Sequence, residues 1–454
     1  MTAYVDHVKC KVTITLNDGS KVELSLATVG VSSNIKNYLT GINIKESTNT
    51  SNSNPVGVVS SNTLSLSLNS RDRSLLPDNE KSPYYGKMDN TACIDIVLTD
   101  DDGDITFNRF FVSNWESNVT SSNPYKVKID ATDLFSIINK NSVPDTELIK
   151  NANTKNVLIN ILNKLNQRLS DLYKINWDES EINFSQFPTL EFNNIEADNI
   201  GNYFNILSQS TLTNLYYGRD NKFKTDYLLD DKKGDSVCNL SDKVNILSAS
   251  VNRGNLVNYS GVVVYYIINN INSYGELMTI ENQVLAPGEN IFDNIELGNK
   301  VFKIDAIKVK TDQLSPVQLV KLEYNKRTAS LVLNNKSSKD ATCKIIIYGQ
   351  TLNETKLSVR KTLNDSNQML EVTNSLLPKS SIDKFATQLL RMISIKGSTL
   401  TLTGFFNPRI KLGDIVYVDT ESSLNTKGYY KVVELNWTVE NTIKCNMKVI
   451  KTII

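Results

Sequence analysis

The chain contains a single histidine, so any mechanism that depends on an imidazole must use His7. A Ser-His-Asp or Cys-His arrangement needs that ring as its base, and histidine-based zinc sites need such rings as ligands. His7 lies at the N-terminus beside an expected strand, where a strand or surface histidine is the favoured interpretation. We therefore expect neither a triad-type catalytic centre nor a histidine zinc site.

The cysteines are five in number, lie far apart and include no CxxC pair. This spacing fits neither a disulfide framework nor a zinc knot. We expect each to act as a small apolar side chain in a protein that folds in a reducing cytoplasm. They are Cys10, Cys93, Cys238, Cys343 and Cys445.

Carboxylates offer the remaining routes to chemistry. Aspartates surround Gly103 in residues 100–104, but a calcium loop with Gly103 in sixth place would begin at Leu98 and end at Arg109, neither of which is a carboxylate. A polar hairpin turn is the better interpretation. A glycan hydrolase needs only two carboxylates, and Glu196 and Asp198 are candidates, although nothing marks them as a pair. No phosphate-binding GxxxxGK[ST] loop is present, so we expect no catalytic residue, metal or cofactor.

Two tyrosine pairs could stack on sugars if they were exposed. They are Tyr216 with Tyr217, and Tyr429 with Tyr430. Each pair lies in a stretch that alternates between apolar and polar residues, so packing into the core of a hairpin is favoured over a sugar-binding surface.

The composition is that of a globular protein of several domains. The 454 residues include 49 basic and 49 acidic side chains, and 40% are hydrophobic. Balanced charge gives no reason to expect a nucleic-acid partner. The N-terminus lacks the pattern of a signal peptide, and the longest apolar stretch, residues 261–268, is too short to span a bilayer. We expect no membrane segment.

Strands dominate the elements that the pattern predicts. Alternating runs flank the turn at residues 17–20, and Asp-Gly in such a turn is a strong hairpin signal. The Ser/Thr/Asn-rich residues 46–62 predict a long loop. Further strands are expected up to residue 143, and again over 240–352 and after Gly397.

Three helices are predicted, two in the middle of the chain and one near its C-terminal end. Apolar residues spaced for one helix face run from Val157 to Leu172, and a second helix around residues 200–207 leads into a hairpin at 215–223. A third helix is expected near residues 381–393. The chain thus divides into an N-terminal β-barrel domain (1–143), a helical α+β domain (144–239), a β domain (240–352) and a C-terminal α+β or barrel domain (353–454).

Several stretches, taken in order, resemble the baseplate hub family of long-tailed bacteriophages and contractile injection particles, which includes the N-terminal part of tail-associated lysins. In the first domain the matching stretches are SPYYGK and three strands, the last leading into Asp-Leu. The middle hairpin has the family's aromatic, charged turn, aromatic pattern. The C-terminal stretch is the most specific. The stretches are 82–87, 94–98, 107–115, 126–134, 216–223, 381–393, 400–402, 407–408, 412–416 and 428–432.

The resemblance implies a mainly β, α+β fold with two barrel-like regions and an inserted helical α+β domain. It implies a structural hub of the tail tip, a homotrimer in the virion tail that is assembled in the host cytoplasm. Its partners would be the tail tube or distal tail protein, and spike, fibre or other baseplate proteins. Two alternatives stay open, a tail adhesin for a cell-wall glycan and a peptidoglycan hydrolase, although the chain ends without the extra domain of the lysins.

Overall fold

The structure is a computed structural model. It describes residues 9–26, 37–48, 59–117, 125–144, 148–193, 195, 197–227, 229, 236–252, 259–311, 316–324, 327–363, 368–394, 399–421, 424–440 and 442–452. His7, Glu196 and residues 49–58 of the expected long loop lie outside the described residues.

The first part of the chain is all β up to Asp133, as predicted, whereas residues 134–138, also expected to be β, form a short helix. Its strands alternate between buried and exposed residues, and Gly19, with φ of 82°, forms the turn of the first hairpin. The predicted hairpin around residues 17–20 is therefore confirmed. The strands are β1 (Lys9–Thr15), β2 (Lys21–Ser25), β3 (Asn37–Ser47), β4 (Thr63–Ser70), β5 (Cys93–Asp100), β6 (Gly103–Thr106), β7 (Phe110–Ser117) and β8 (Lys126–Asp133).

The middle part mixes helices and short strands around its own core. The elements are α1 (Leu134–Ile138), β9 (Lys150–Asn153), α2 (Thr154–Arg168), β10 (Asn176–Trp177), β11 (Thr189–Phe192), α3 (Ile200–Thr211), β12 (Thr213–Tyr217) and β13 (Lys222–Tyr227).

The sequence predicted the buried face of α2 but not its end. Val157, Leu158 and Ile161 are buried, and Asn153 begins the helix by accepting a hydrogen bond from the Asn156 N–H at 3.0 Å. The predicted stripe was too long, because the backbone becomes extended at Leu169 (ψ 146°) and Leu172 lies outside the helix, 42% exposed.

The next part of the chain is again all β. Its strands are β14 (Cys238–Ser241), β15 (Ile246–Asn252), β16 (Gly261–Ile271), β17 (Gly275–Leu285), β18 (Gly288–Glu296), β19 (Val301–Thr311), β20 (Val317–Tyr324), β21 (Thr328–Asn335), β22 (Ala341–Thr362) and β23 (Met369–Asn374).

The 22-residue strand β22 connects two packing environments. Its first half pairs with β17 and β19, and its second half pairs with β16. The first half packs with the sheet β18–β21–β20 around a separate small core that includes Leu331 and Ile345. The second half contacts the helix of the C-terminal part, so β22 joins this small β unit to the rest of the fold.

The C-terminal part returns to the large sheet after one amphipathic helix. Its elements are α4 (Lys379–Ser394), β24 (Thr399–Gly404), β25 (Ile415–Asp419), β26 (Lys427–Val439) and β27 (Ile443–Lys451). Ile382, Phe385, Leu389 and Ile393 form the buried face of α4, as the sequence predicts.

One sheet of 14 strands joins the two ends of the chain. Its main path runs β15–β24–β27–β26–β3–β4–β8–β7–β5–β1–β2, with β14, β25 and β6 as side branches. The connection depends on the length of β26, which pairs with β25 through its first residues and with β3 through residues 434–439. Trp437 on β26 lies opposite Ile44 on β3, and both side chains are fully buried.

The mainly β, α+β fold class is confirmed, but the expectation of two barrels is corrected. Among the described strands, the hydrogen-bonded ladder stays open, and the regions expected to be separate barrels form one continuous sheet. An isolated bridge between Leu26 and Leu39 brings β2 towards β3 without extending into a ladder. No helix in the described ranges is both long and apolar enough to cross a membrane. The division into four domains stays a prediction.

Candidate functional site at the hairpin junction

The hairpin of β12 and β13 carries a short polar turn that points into the large sheet. Tyr217 lies opposite Phe223 in the antiparallel register, and Gly218 to Asn221 form the turn between them. Asn221 adopts φ of 56°, a left-handed conformation that asparagine tolerates better than most residues.

Side chains of the N-terminal strand region hold the backbone of this turn. Asn62 Nδ2 donates to the Tyr217 carbonyl at 3.2 Å. Asn108 Nδ2 donates to the carbonyls of Tyr217 and Gly218 at 3.1 and 3.2 Å. The amide of Arg109 donates to Asn221 Oδ1 at 2.6 Å. These bonds tie the turn, through two of its carbonyls and the Asn221 side chain, to the N-terminal strand region.

Arg219, at the tip of the turn, is buried in a network that we call the hairpin junction, made of Arg219, Glu46, Phe107, Pro408 and Trp437. The guanidinium makes a two-pronged ion pair with Glu46, in which Nε donates to Oε1 at 2.7 Å and Nη2 donates to Oε2. Nη1 donates to the Pro408 carbonyl. The side chains of Arg219 and Glu46 are only 5% and 2% exposed.

Aromatic groups complete the hairpin junction. The guanidinium carbon of Arg219 lies 4.4 Å from the ring centroid of Phe107, within range of a cation–π interaction. The indole of Trp437 donates to Glu46 Oε2 at 3.2 Å. Glu46 thus accepts hydrogen bonds from both a charged donor, Arg219, and a neutral donor, Trp437. Additional hydrogen bonds of this kind are what allow a buried ion pair to offset its desolvation cost.

The hairpin junction lies where the two ends of the chain meet. Glu46 is on β3 and faces Leu435 on β26, two residues from Trp437. Arg219 therefore connects the middle part of the chain to the N-terminal strand, the C-terminal strand and the Pro408 loop at one point.

A second buried ion pair ties the same hairpin to β26. Lys431 Nζ donates to Asp226 Oδ1 at 2.7 Å and to the Tyr227 carbonyl at 2.7 Å. The two charged side chains are 5% and 17% exposed. The turn of the hairpin, through Arg219, and the end of β13, through Asp226, are thus each anchored by charge-assisted hydrogen bonds.

A polar cleft of about 470 Å³ lies beside the hairpin junction. Lys224 Nζ bridges Glu181 and Asp220 at 2.7 and 2.9 Å on its wall. Burial raises the pKa of Asp414, whose Oδ2 accepts the Lys411 amide at 2.7 Å. Burial also raises the pKa of the Tyr216 hydroxyl, which lies among carboxylates including Asp226. Lys224 thus joins two carboxylates from different elements, an arrangement suited to holding those elements together.

The acidic turn around Gly103 is a hairpin, as predicted. Asp100 pairs with Gly103 at the turn between β5 and β6, and Thr99 Oγ1 donates to Asp104 Oδ1 at 2.6 Å. Arg409 forms an ion pair with Asp100, linking this turn to the C-terminal part. Across the described ranges no group of three or more His, Cys, Asp or Glu side chains is placed to hold a metal ion.

The tyrosine pairs belong mainly to the core, which confirms the favoured interpretation. Tyr217 and Tyr430 are 3% and 1% exposed. Tyr216 packs against the core of the large sheet, and Tyr429 packs edge-on against Tyr417 with ring centroids 5.1 Å apart. They present no open platform for a sugar.

The cysteines are free thiols, as expected, and four of the five are buried. Burial raises the pKa of the Cys10 thiol to about 12 and that of Cys238 to about 11. Asp198 is among the described residues, whereas Glu196 and His7 are not, so the suggested carboxylate pair stays a prediction.

Sequence reasoning missed the hairpin junction. It identified the hairpin around Arg219 and the strand containing Trp437, but it placed Glu46, 173 residues before Arg219, in the expected loop of residues 46–62, whereas β3 continues through Ser47. A charged residue inside an otherwise apolar, alternating strand was the available signal: Glu46 follows Ile42 and Ile44 on the buried side of β3.

No family model matches the sequence, and no curated protein matches it either. Solved structures do match. A tail protein from Neisseria meningitidis MC58 superposes with a TM-score of 0.52 and 11% identity, covering 97% of this chain and 96% of that one. A 43 kDa tail protein of prophage MuSo2 from Shewanella oneidensis gives a TM-score of 0.52 and 8% identity over the same shares. Sequence identities this low establish a shared fold and nothing more; this chain has the fold of these tail proteins.

Proposed function

We propose that this protein is a structural component of a bacteriophage tail, the hub of the tail tip or baseplate that connects the tail tube to the distal components. The observation that carries the proposal is a shared fold with two tail proteins over 97% of this chain. The order of matching stretches in the sequence supports the same family independently.

The internal construction suits a part that transmits force. The 14-stranded sheet joins the two ends of the chain, so separating them requires breaking the β3–β26 ladder. The buried pairs Arg219–Glu46 and Lys431–Asp226 fix the middle hairpin to β3 and to β26, respectively. Removing one partner of such a pair is strongly destabilising, because it leaves a buried charge without compensation.

The proposal extends to a closed homotrimer. Closed rings are the norm for homo-oligomers, and an open head-to-tail contact would produce filaments. Two β-rich regions per chain would give three chains six places to meet a six-fold tail tube. The neutral net charge is compatible with permanent self-association. The partners would be the tail tube or distal tail protein on one side, and spike, fibre or other baseplate proteins on the other.

In this role the protein assembles in the host cytoplasm, resides in the virion tail and is not an enzyme. The four-domain division, 1–143, 144–239, 240–352 and 353–454, belongs to the same proposal. The polar cleft then serves as a packing interface within the chain, because Lys224 on its wall neutralises Glu181 and Asp220.

The test is to locate and count the protein in intact particles. A labelled chain is imaged in purified virions, and quantitative mass spectrometry gives its copy number relative to the tube subunit. Three copies at the tail tip support the hub. Six copies would move the protein to a neighbouring ring, and dozens would make it a tube or sheath subunit and refute the proposal.

A further inference from the structure

Two tyrosine rings stack on the outer face of the small β unit. Tyr274 lies between β16 and β17 and is 54% exposed. Its ring stacks on that of Tyr348 on β22, with centroids 6.1 Å apart and planes within 12° of parallel. Lys308 on β19 places its ammonium 4.9 Å from the Tyr348 centroid. We call this surface the Tyr274 face.

Polar side chains flank the rings. Glu276 lies opposite Tyr348 across the β17–β22 pairing, and one of its oxygens accepts a hydrogen bond from Thr279 Oγ1 at 2.7 Å. Gln350, two residues after Tyr348 on the same side of β22, donates through Nε2 to the Asn272 carbonyl at 3.3 Å. A carboxylate and an amide each keep further acceptor capacity after such a bond. The face therefore combines an open aromatic ring with acceptors and an ammonium donor.

The two rings are stacked on one another within the protein itself. Tyr348 lies on a central strand paired on both sides, and the Tyr274 ring packs against it. A tyrosine has few rotatable bonds, so a preset ring loses little entropy on binding.

We propose that the Tyr274 face binds carbohydrate, specifically a β-1,4-linked hexopyranose chain, with the Tyr274 ring as the stacking platform. A pyranose ring of this class presents C–H groups on its faces and hydroxyls around its rim. Such a chain is extended and flat, which matches an open sheet surface. The Glu276 carboxylate and Gln350 amide accept rim hydroxyls, and the Lys308 ammonium donates to them.

The charges distinguish this ligand from nucleic acid. A nucleobase could also stack on Tyr274, but its phosphates would approach the Glu276 carboxylate. On this face the Lys308 ammonium is offset by the Glu276 carboxylate, whereas neutralisation of phosphates by an excess of positive groups supplies most of non-specific nucleic-acid binding. A neutral sugar chain meets no such repulsion. The proposal does not depend on the tail-hub function, since it would give the protein a second, glycan-directed contact.

The experiment titrates the full chain with chitohexaose by calorimetry. The wild type is expected to bind, and Tyr274→Ala to lose about tenfold or more in affinity, as removal of one aromatic stacking contact predicts. Tyr274→Phe keeps the ring and should bind nearly as well as the wild type. Tyr85→Ala is the matched control, because Tyr85 is a similarly exposed tyrosine (49%) elsewhere on the chain. Melting curves of all variants check that the fold is intact.

Four results would overturn the proposal. These are no binding of chitohexaose by the wild type at millimolar concentration, equal binding by Tyr274→Ala, equal binding of the curved α-1,4-linked maltohexaose, and preferential Tyr274-dependent binding of an oligothymidylate. The copy-number measurement in virions is unaffected by any of them, so the two proposals can fail separately.

Discussion

Replacing Arg219 with alanine should destabilise the protein more than any exposed charge replacement. The substitution leaves the Glu46 carboxylate, 2% exposed, with the Trp437 indole as its remaining named donor. Breaking a buried ion pair from one side costs about 3–5 kcal/mol. The lost contact with the Phe107 ring, 4.4 Å from the guanidinium, adds to this cost. We expect the free energy of unfolding to fall by about 3–5 kcal/mol, a large fraction of the 5–15 kcal/mol typical of native proteins.

Urea denaturation followed by circular dichroism measures the loss, and hydrogen exchange locates it. Exchange should accelerate at the hairpin turn and along the β3–β26 pairing, and much less in the small β unit. Arg219→Lys keeps the charge but cannot make the two-pronged pair, so it should fall between wild type and alanine. The matched control is Lys45→Ala, which breaks the exposed Lys45–Glu434 pair of 3.5 Å and should cost less than about 1 kcal/mol.

A paired replacement separates the ion pair from simple loss of packing. Arg219→Met with Glu46→Leu removes both charges, so it should destabilise less than Arg219→Ala alone. If Arg219→Ala lies within about 1 kcal/mol of the wild type, as an exposed pair would, the hairpin junction does not hold the fold together. If the charge-free double variant is the least stable of the set, our account of the buried carboxylate is wrong.

Three further predictions concern the last strand, one buried carboxylate and the absence of catalysis. Deleting residues 443–454 should abolish folding or particle incorporation, because Cys445, Met447 and Val449 are fully buried, and burial of Met447 and Val449 alone is worth roughly 1.5–3 kcal/mol each. A soluble, cooperatively melting truncation found in virions would contradict this. Burial raises the pKa of Asp133 from 3.8 to about 7, so its contribution to stability is complete below its ordinary pKa and is lost as pH rises towards 7. Between pH 4 and 7 the free energy of unfolding of the wild type should fall more steeply with pH than that of Asp133→Asn, by at most about 1.4 kcal/mol per pH unit. Equal pH dependence in the two proteins would refute this prediction. The purified protein should not clear host peptidoglycan in a zymogram, and clearing that disappears on mutating one carboxylate would show that it is a hydrolase.

Local patterns predicted individual elements well. The hairpin of β1 and β2 follows from alternation on both sides of Asp-Gly, and the buried face of α2 follows from the spacing of Val157, Leu158 and Ile161. The run Cys445, Met447 and Val449 was expected to face the interior, and it does, whereas Ile443 at the start of β27 is only partly buried. These predictions succeed because the period with which side chains change face in a strand or helix is a local property of the sequence.

The end of α2 shows where local patterns fail. Leu169 and Leu172 continue the apolar spacing, but the backbone leaves the helix at Leu169. Apolar spacing alone does not mark a helix end, and no glycine or proline follows directly to signal one.

The sequence by itself determined a mainly β, multi-part chain with three longer helices, a hairpin around Arg219 and no visible set of catalytic or metal-binding residues. Only the tertiary structure decided that β26 pairs with β3 and so makes one open sheet where two barrels were expected. It also decided that Glu46 meets Arg219 and that Tyr274 stacks on Tyr348. The reason is that strand pairing and buried ion pairs join residues far apart in the chain, Glu46 and Trp437 being 391 positions apart, while periodicity reports only which face of an element is buried.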